Sequence, residues 1–433
     1  MQNGWTTSKL GDHIQTLKGY AFKSQWYSNM GVPLVKVSDF TSDGIDITRL
    51  IRVPNEIAIN YSKYELKTDD VVIQTVGSWP TNPLSVVGKV IRVPRTANGA
   101  LLNQNAVKII PDESIDKSFL FYALRCSSFK NYIIGCAQGA ASQASITLDA
   151  IRNYDFSFPN VGHQRRIAAI LSAYDNLIEN NTRRVRVLQE MARRIYEEWF
   201  VRFRFPGNEN VRMVESELGL IPDDWKLVTL SSLIDIDKGV SYNGAGLTPD
   251  GKPMVNLKNI NAGGGFRPDA TKPYSGVYKS RHVVKPGDIV LANTDLTQAG
   301  NVVGSPALVP DITQGDILIS HHIFAVRPKQ LEKSWNLFLY NLFLLDRFKG
   351  FAKGHASGTT VLGLPREGVL NFVLPKPTTE VIEQFDNIAA PLYALAETLM
   401  RKNENLRRTR DLLLPKLISG EIDVSNFHEP VSD

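Results

Sequence analysis

The chain repeats itself, and that limits its fold more than any single motif does. Trp5, Leu10, Lys18 and Gly19 are answered by Trp225, Leu230, Lys238 and Gly239. Pro33-Leu34-Val35 is answered by Pro253-Met254-Val255, and Asp70-Val71-Val72 by Asp288-Ile289-Val290. Val86-Val87-Gly88 matches Val302-Val303-Gly304, and FSFP at 156–159 matches FVLP at 372–375. The offset runs from 220 (Trp225 less Trp5) to 216 (Pro375 less Pro159), so insertions between the copies are small. Chance supplies single matches but not their common order. A duplicated chain of 433 residues has to bury at least two similar cores.

Each copy is globular first and helical second. Residues 1–160 alternate short β-like runs (VPLVKV, DDVVIQTV, VVGKVIRV, AVKII) with turns rich in Gly, Pro, Asn and Asp. One helix is expected there over 118–134, with Phe121, Leu124 and Ile133 on its apolar face. Residues 224–378 repeat the pattern as PMVNL, GDIVLAN, ILIS and IFAVRP, with a matching helix around 335–348. Residues 206–223 read as a linker and 421–433 as a loose tail.

A long helical run closes each copy, over 161–205 and 379–420. In the first, Leu171, Tyr174, Ile178, Asn181, Val185, Leu188, Ala192, Ile195 and Trp199 recur at alternating steps of three and four, a heptad seam with one polar member. In the second the seam reads Leu392, Leu395, Leu399, Leu406 and Leu413, interrupted by Lys402 and Thr409. Thr379 is the expected cap and Gly420 the stop, and Pro391 is expected to bend or delay the regular part. Two such seams can cover one another, and the connectivity favours an antiparallel pair. Asn181 then becomes a register-setting residue facing Lys402 or Asn403. The fold class expected is α+β: two tandem-duplicated mixed α/β units joined by two long helices that form an antiparallel coiled coil.

Composition excludes more than it selects. The longest strongly apolar stretch, 337–345, is too short to span a bilayer, and the N-terminus has no basic segment followed by an apolar run. Two cysteines, Cys126 and Cys136, form no metal-type spacing, so a cytoplasmic protein without structural disulfides is expected. The net charge of +5 is compatible with nucleic acid but spread thinly. Residues 163–204 hold nine Lys/Arg against five Asp/Glu, whereas 379–420 hold six of each. Any nucleic acid binding therefore has to use shaped surfaces rather than a polybasic arm.

Catalytic motifs are missing from the sequence. An adenine-N6 methyltransferase needs a glycine-rich cofactor loop and an Asn/Asp-Pro-Pro-aromatic tetrad; Asn82-Pro83-Leu84-Ser85 lacks the second proline and the aromatic. Gly263-Gly264-Gly265 opens no G-x-G-x-x-G, and no phosphate-binding G-x-x-x-x-G-K-[ST] occurs. Pro249-Asp250-Gly251-Lys252 has no downstream acid-x-lysine and reads as a turn, and His321-His322 has no Glu-x-x-His companion. No catalytic residue and no metal ligand is assigned.

Three features together resemble the specificity subunit of type I restriction-modification systems: PNVGHQRRIAAIL at 159–171, LRRTRDLLLPKLISGEI at 406–422, and the tandem globular-plus-helix layout. The resemblance covers nearly the whole chain. The second helix departs from the first motif, with Ile388-Ala389-Ala390-Pro391-Leu392 where Ile167-Ala168-Ala169-Ile170-Leu171 stands. It implies that each globular unit is a target recognition domain reading one half of a bipartite, asymmetric double-stranded DNA site. The helices would space the two domains and dock two methyltransferase subunits, with restriction subunits joining through the complex. Recognition would belong to this chain and chemistry to its partners, which would carry S-adenosylmethionine, ATP and Mg. A spacer of about 40 helical residues would be about 60 Å long at ~1.5 Å per residue, or roughly 18 base pairs.

Base reading calls for amides, hydroxyls and cations that meet donor and acceptor patterns on base edges, and backbone contact calls for cations. The loop-placed candidates in residues 1–160 are Lys18, Tyr20, Lys23, Lys36, Gln74, Thr75, Ser78, Asn103, Gln104, Asn105, Gln138, Ser142 and Gln143. Those in 224–378 are Lys238, Tyr242, Asn243, Asn256, Lys258, Asn259, Asn293, Thr294, Gln298, His321, His322, Lys353, His355, Ser357 and Thr359. Arg165, Arg166, Arg183, Arg184, Arg193 and Arg194 give the first long helix a positive face open to DNA backbone, to acids of a partner, or to solvent alone. Two other functions remain open at this level: an assembly scaffold that reads no DNA, and the specificity part of a combined restriction-methylation enzyme.

Overall fold

The computed structural model describes residues 4–41, 44–47, 50–79, 86–140, 143–267, 270–296, 299–311, 315–329 and 334–427. They form two compact units: unit 1 is Met1–Asn180 with Lys402–Asp433, and unit 2 is Asn181–Arg401.

Unit 1 is closed by its own ends, since strand Trp5–Lys9 pairs antiparallel with Asp155–Pro159. Its main sheet is antiparallel, in the order Ile14–Lys18, Ala106–Pro111, Val71–Gln74, Val90–Arg92. A smaller sheet runs Ile51–Val53, Val32–Val35, Leu101–Leu102, the last two parallel. The apolar run Val71-Val72-Ile73 is fully buried because it has a core on each face. Side chains alternate along a strand, so Val71 and Ile73 join Phe119, Leu120 and Phe129 of the helical layer, while Val72 joins Val35 and Leu102.

Unit 2 repeats this plan. Its main sheet runs Ile234–Lys238, Ile323–Pro328, Ile289–Ala292, Pro306–Leu308, and a second sheet contains Lys272–Tyr274, Lys252–Val255, Ile317–Ile319 and Val283–Val284. Ile289 and Leu291 face the helical core with Phe338 and Phe343, and Val290 and Ala292 face Val255 and Ile319. The duplication visible in the sequence is therefore a duplication of the main sheet's strand order and of the two cores around it, with one strand, Val283–Val284, added to the second sheet of unit 2.

Three expectations are corrected. The single helix over 118–134 is two, Lys117–Arg125 and Ser127–Gly135, and the helix around 335–348 is likewise Trp335–Leu344 and Asp346–His355. Cys126 and Leu345 take extended backbone (φ −63, ψ 151 and φ −64, ψ 139) at the break, and neither is a residue that breaks helices by itself. The stretch read as a linker contains a β-hairpin, Met213–Ser216 with Gly219–Pro222. The tail is anchored as far as it is described, with Val424 buried and Phe427 packed on the unit 1 core.

The first long helix spans Val161–Tyr196 and widens into a π turn at Glu197–Val201; the second spans Thr379–Ile418 and continues through Pro391 and Pro415, both on its exposed side. Asn160 caps the first by accepting the His163 amide at 3.0 Å. In unit 1 the two helices pack antiparallel. Ile167, Ala168 and Leu171 share a core with Leu414 and Leu417, Asp175 meets Arg410, and the Asn403 amide donates to the Ile178 carbonyl at 3.1 Å. In unit 2, Phe385 packs against Tyr196, Trp199 and Phe200 at ring distances of 5.7, 6.2 and 5.2 Å.

The second seam also differs from the leucine ladder. Leu395 is 50% exposed, and the inward residues are Ile382, Phe385, Ala389, Ala396, Leu399, Asn403, Arg410, Leu414 and Leu417, with Leu392, Leu406 and Leu413 partly covered. Alanines and two buried polar residues occupy positions that a search for leucine passes over. On the first helix Leu171, Ile178, Asn181, Ala192 and Trp199 are buried, and Tyr174, Val185, Leu188 and Ile195 are half-buried. Lys402 is exposed, so of the two residues expected near Asn181 only Asn403 points inward.

Candidate nucleic-acid interface

One backbone frame occurs in both units. In unit 1 the amides of Gly19 and Tyr20 donate to the carbonyls of Ala106 and Leu102, Asn103 donates to Val35, and Thr75 donates to Asn105. In unit 2, Gly239 and Val240 donate to Ile323 and Ile319, Ser320 donates to Val255, and Asn293 donates to His322. These four bonds correspond one to one. It makes Asn103-Gln104-Asn105 the counterpart of Ser320-His321-His322, and Thr75 the counterpart of Asn293. The Lys-Gly pair at the end of each first sheet strand has a steric cause: a Cβ on Gly19 would run into the Asn103 carbonyl, and one on Gly239 into the carbonyls of Ile319 and Ser320.

A second loop joins the frame from the far end of each globular part. The Ile146 amide donates to Thr75, and Ala144–Ser145 pairs with Val76–Gly77, so the loop holding Gln138 and Gln143 sits beside Ser78. In unit 2 the Leu364 amide donates to Asn293, and Leu362–Gly363 pairs with Thr294–Asp295, which places the Ser357–Thr359 loop at the same end of the sheet. Most of the candidates thus gather at one sheet end in each unit. Ser142 and Gln298 lie outside the described residues.

The chemistry of the two ends differs. At the unit 1 end Gln104 is exposed and Asn105 half-buried, and Lys18 is exposed at the strand terminus. Beside it the Tyr20 ring packs at a tilt against Tyr61 and Tyr64 (4.4 and 5.4 Å), Trp26 lies 5.7 Å from Tyr61, and Lys23 and Lys36 sit over Trp26 and Tyr27 at 5.5 Å each. At the unit 2 end the rings of His321 and His322 are 3.8 Å apart, Tyr242 lies 5.8 Å from His321, and Thr294 Oγ1 is 2.9 Å from His322 Nδ1. Lys272 donates to the Tyr242 hydroxyl at 3.0 Å. Burial, then Lys238, pushes the His321 imidazole below the usual histidine range; burial, His321, Lys238 and Lys272 do the same for His322. Buried polar atoms are normally satisfied, yet Thr75 Oγ1, Asn293 Oδ1, Ser320 Oγ and His321 Nδ1 have no hydrogen-bond partner among the described residues.

Several candidates are placed where they hold the fold. Asn256 and Asn259 are buried: Asn256 Nδ2 donates to Asn259 Oδ1 and the Ala270 carbonyl, and Asn259 Nδ2 donates to Arg267 and Thr271. Lys36 begins the equivalent turn, its amide donating to Asp39 at 2.8 Å. Gln74 lies inside a buried strand and donates to the Val76 carbonyl, and Lys353 and His355 lie on a helix rather than a loop, with His355 Nδ1 2.9 Å from the Phe351 carbonyl. Asn243 and Lys258 are exposed beside short turns. Trp26, Tyr61, Tyr64 and Lys272 are not among the loop-placed candidates of the sequence. Tyr61 and Tyr64, spaced three apart in NYSKY, were the signal available for the aromatic wall.

Among the described residues no group of three His, Cys, Asp or Glu is placed to hold a metal, and no helix is long and apolar enough to cross a membrane. Cys126 and Cys136 are unbridged, and burial pushes the Cys126 thiol up to about 12.

Comparison with known proteins agrees with this architecture. Residues 2–190 match the model of the type I restriction modification DNA specificity domain. The chain is 22% identical over 423 residues to the putative type I restriction enzyme MjaX specificity subunit of Methanocaldococcus jannaschii, covering 97% of this chain and 94% of that one. The MjaVIII specificity subunit of the same organism is 23% identical over 431 residues, covering 98% and 94%. In fold, the chain is similar to the crystal structure of a type I restriction-modification S subunit from M. genitalium, with a TM-score of 0.54 at 13% identity over 96% of this chain and 97% of that one.

Proposed function

We propose, from the premise that this chain belongs to the specificity subunits of type I restriction-modification systems, that each globular unit reads one half of a bipartite, asymmetric DNA site. The single observation that carries this reading is the repeated backbone frame. Two sheet ends that share these four backbone hydrogen bonds bear different polar side chains, as expected of one scaffold made to recognise two sequences. Exposed Lys18 and Lys238 at equivalent strand ends suit phosphate contact, which sets register without specifying sequence.

The two long helices fix the gap between half-sites and dock two methyltransferase subunits, with restriction subunits joining through that complex. Support comes from the continuity of helices of 36 and 40 residues, since an α-helix is a stiff spacer of ~1.5 Å per residue. S-adenosylmethionine, ATP and Mg then belong to the partners, and this chain supplies recognition.

The test is to co-express the chain with its cognate methyltransferase subunit and map N6-methyladenine in host DNA. A single bipartite motif with a fixed gap is the expected result. Methylation without a motif, or DNA binding by the complex that shows neither sequence preference nor salt dependence, would instead favour a scaffold that reads no DNA.

A further inference from the structure

The shared frame aligns two tripeptides that differ at every position, Asn103-Gln104-Asn105 and Ser320-His321-His322. The strand pairing and backbone bonds that hold their ends are shared by the two units. The residue preceding each is paired parallel to an inner strand, Leu102 with Val35 and Ile319 with Val255. The first amide donates to that strand, and the last carbonyl accepts from the residue after the central sheet strand, Thr75 or Asn293. A rigid backbone with interchangeable side chains is what discrimination between base edges requires, because a bidentate contact tolerates little displacement.

We infer that residues 103–105 and 320–322 are the equivalent base-reading elements of the two units, the first matched to an adenine edge and the second to a guanine edge. The inference rests on the reading that each unit recognises one half-site. Gln104 and Asn105 carry amides, each offering a donor and an acceptor together. Adenine presents that complement in the major groove, at N6 and N7. His321 and His322 offer ring nitrogens in a donor-rich setting. Lys238 lies at the neighbouring strand end, Lys272 is tied to Tyr242, and Thr294 is bonded to His322 Nδ1. Guanine, with acceptors at both N7 and O6, is the base whose edge fits such a surface. Asn293 Oδ1, Ser320 Oγ and His321 Nδ1 are three buried polar atoms without a hydrogen-bond partner among the described residues, on this turn and on the strand end bonded to it. Asn293 Nδ2 donates to the His321 carbonyl and so ties them together. Asn293 and Ser320 are more than nine-tenths buried, so these polar groups are not ordinary solvated surface.

The experiment maps N6-methyladenine motifs for the co-expressed complex of the full chain with H321A, H322A, Q104A and N105A, beside H322Q, which keeps a side-chain donor. Thermal melting of each purified complex serves as the folding control. The expected result is that the histidine variants relax one guanine in one half-site, with preference over other bases falling about 5- to 150-fold. H322Q retains a preference at that position, and the amide variants relax an adenine in the other half-site only. Variants that melt normally and give an unchanged motif would overturn the inference while leaving the half-site reading intact. Histidine variants that relaxed an A·T pair, amide variants that relaxed a G·C pair, or relaxation of both half-sites together would overturn it as well. If the unmodified chain yields no bipartite motif, the half-site reading fails and the inference falls with it.

Discussion

Gly239 shows how a single residue can hold a turn in place. Its Cα lies so close to the carbonyls of Ile319 and Ser320 that no Cβ fits. Gly239→Ala should therefore push the turn carrying His321 and His322 off its strand, at roughly 1–3 kcal/mol of stability, and Gly19→Ala should do the same for the unit 1 turn. Denaturant unfolding would detect the loss, and unchanged midpoints would count against the close-approach argument. Three histidines of unit 2 also make stability depend on pH. Burial first, then neighbouring cations, holds His282, His321 and His322 below the usual range. The unfolded chain thus takes up their protons before the folded chain does. Stability should be flat from pH 8 to 7, then fall as pH drops below about 6.5. His282→Gln should reduce that slope in urea titrations at pH 7 and pH 5.5; an unaltered slope would remove His282 as a contributor.

At the scale of elements, the buried network where the long helices meet unit 1 predicts sharply. Arg410 is 4% exposed and bonds Asp175 at 2.5 Å; Asp175 also accepts from the Tyr122 hydroxyl at 2.6 Å and lies 3.7 Å from Arg92. Burial raises the Tyr122 phenol far above its ordinary range, with the Asp175 charge adding to it. Removing one partner of a buried pair leaves an uncompensated charge, so Arg410→Ala should destabilise by roughly 3–5 kcal/mol. Arg410→Met with Asp175→Leu should recover much of that, which a double-mutant unfolding cycle would show. Unit 2 fastens its helix with a neutral bond instead, Tyr393 donating to Asn341 at 3.0 Å. The spacer predicts as well. A four-residue insertion in the exposed middle of the first helix adds about 6 Å and should lengthen the half-site gap by a base pair or so. Motif mapping that returned the original gap would argue against a ruler.

For the whole molecule, the chain order and the folding units do not coincide. Unit 1 takes Leu414, Leu417 and Val424 from the C-terminal segment into the same core as Ile167 and Leu171. A fragment ending at residue 180 should therefore lack part of its core and show weak amide protection, and adding a peptide of residues 402–427 should restore it. Full protection in the fragment alone would contradict the discontinuous core. The charge balance of +5 is too small to mark a DNA-binding protein by itself. The proposed recognition therefore rests on the few side chains at the two sheet ends rather than on net charge.

The sequence alone determined the duplication, the apolar strands and the two long helices, because each is written in local period and spacing. Its seam of Leu171, Ile178 and Trp199 and its pairing of Lys18 with Lys238 rest on local pattern alone. Tertiary structure decided what no local pattern encodes. It sent Asn256 and Asn259 inward as paired amides, placed Ala396 and Arg410 rather than Leu395 on the inner face of the second helix, and broke the domain helices at Cys126 and Leu345. It also aligned Asn103-Gln104-Asn105 with Ser320-His321-His322, a correspondence with no residue in common. Hydrogen bonds from strands far away in sequence impose it, and those act on backbone groups that every residue carries, so they leave no mark in side-chain identity.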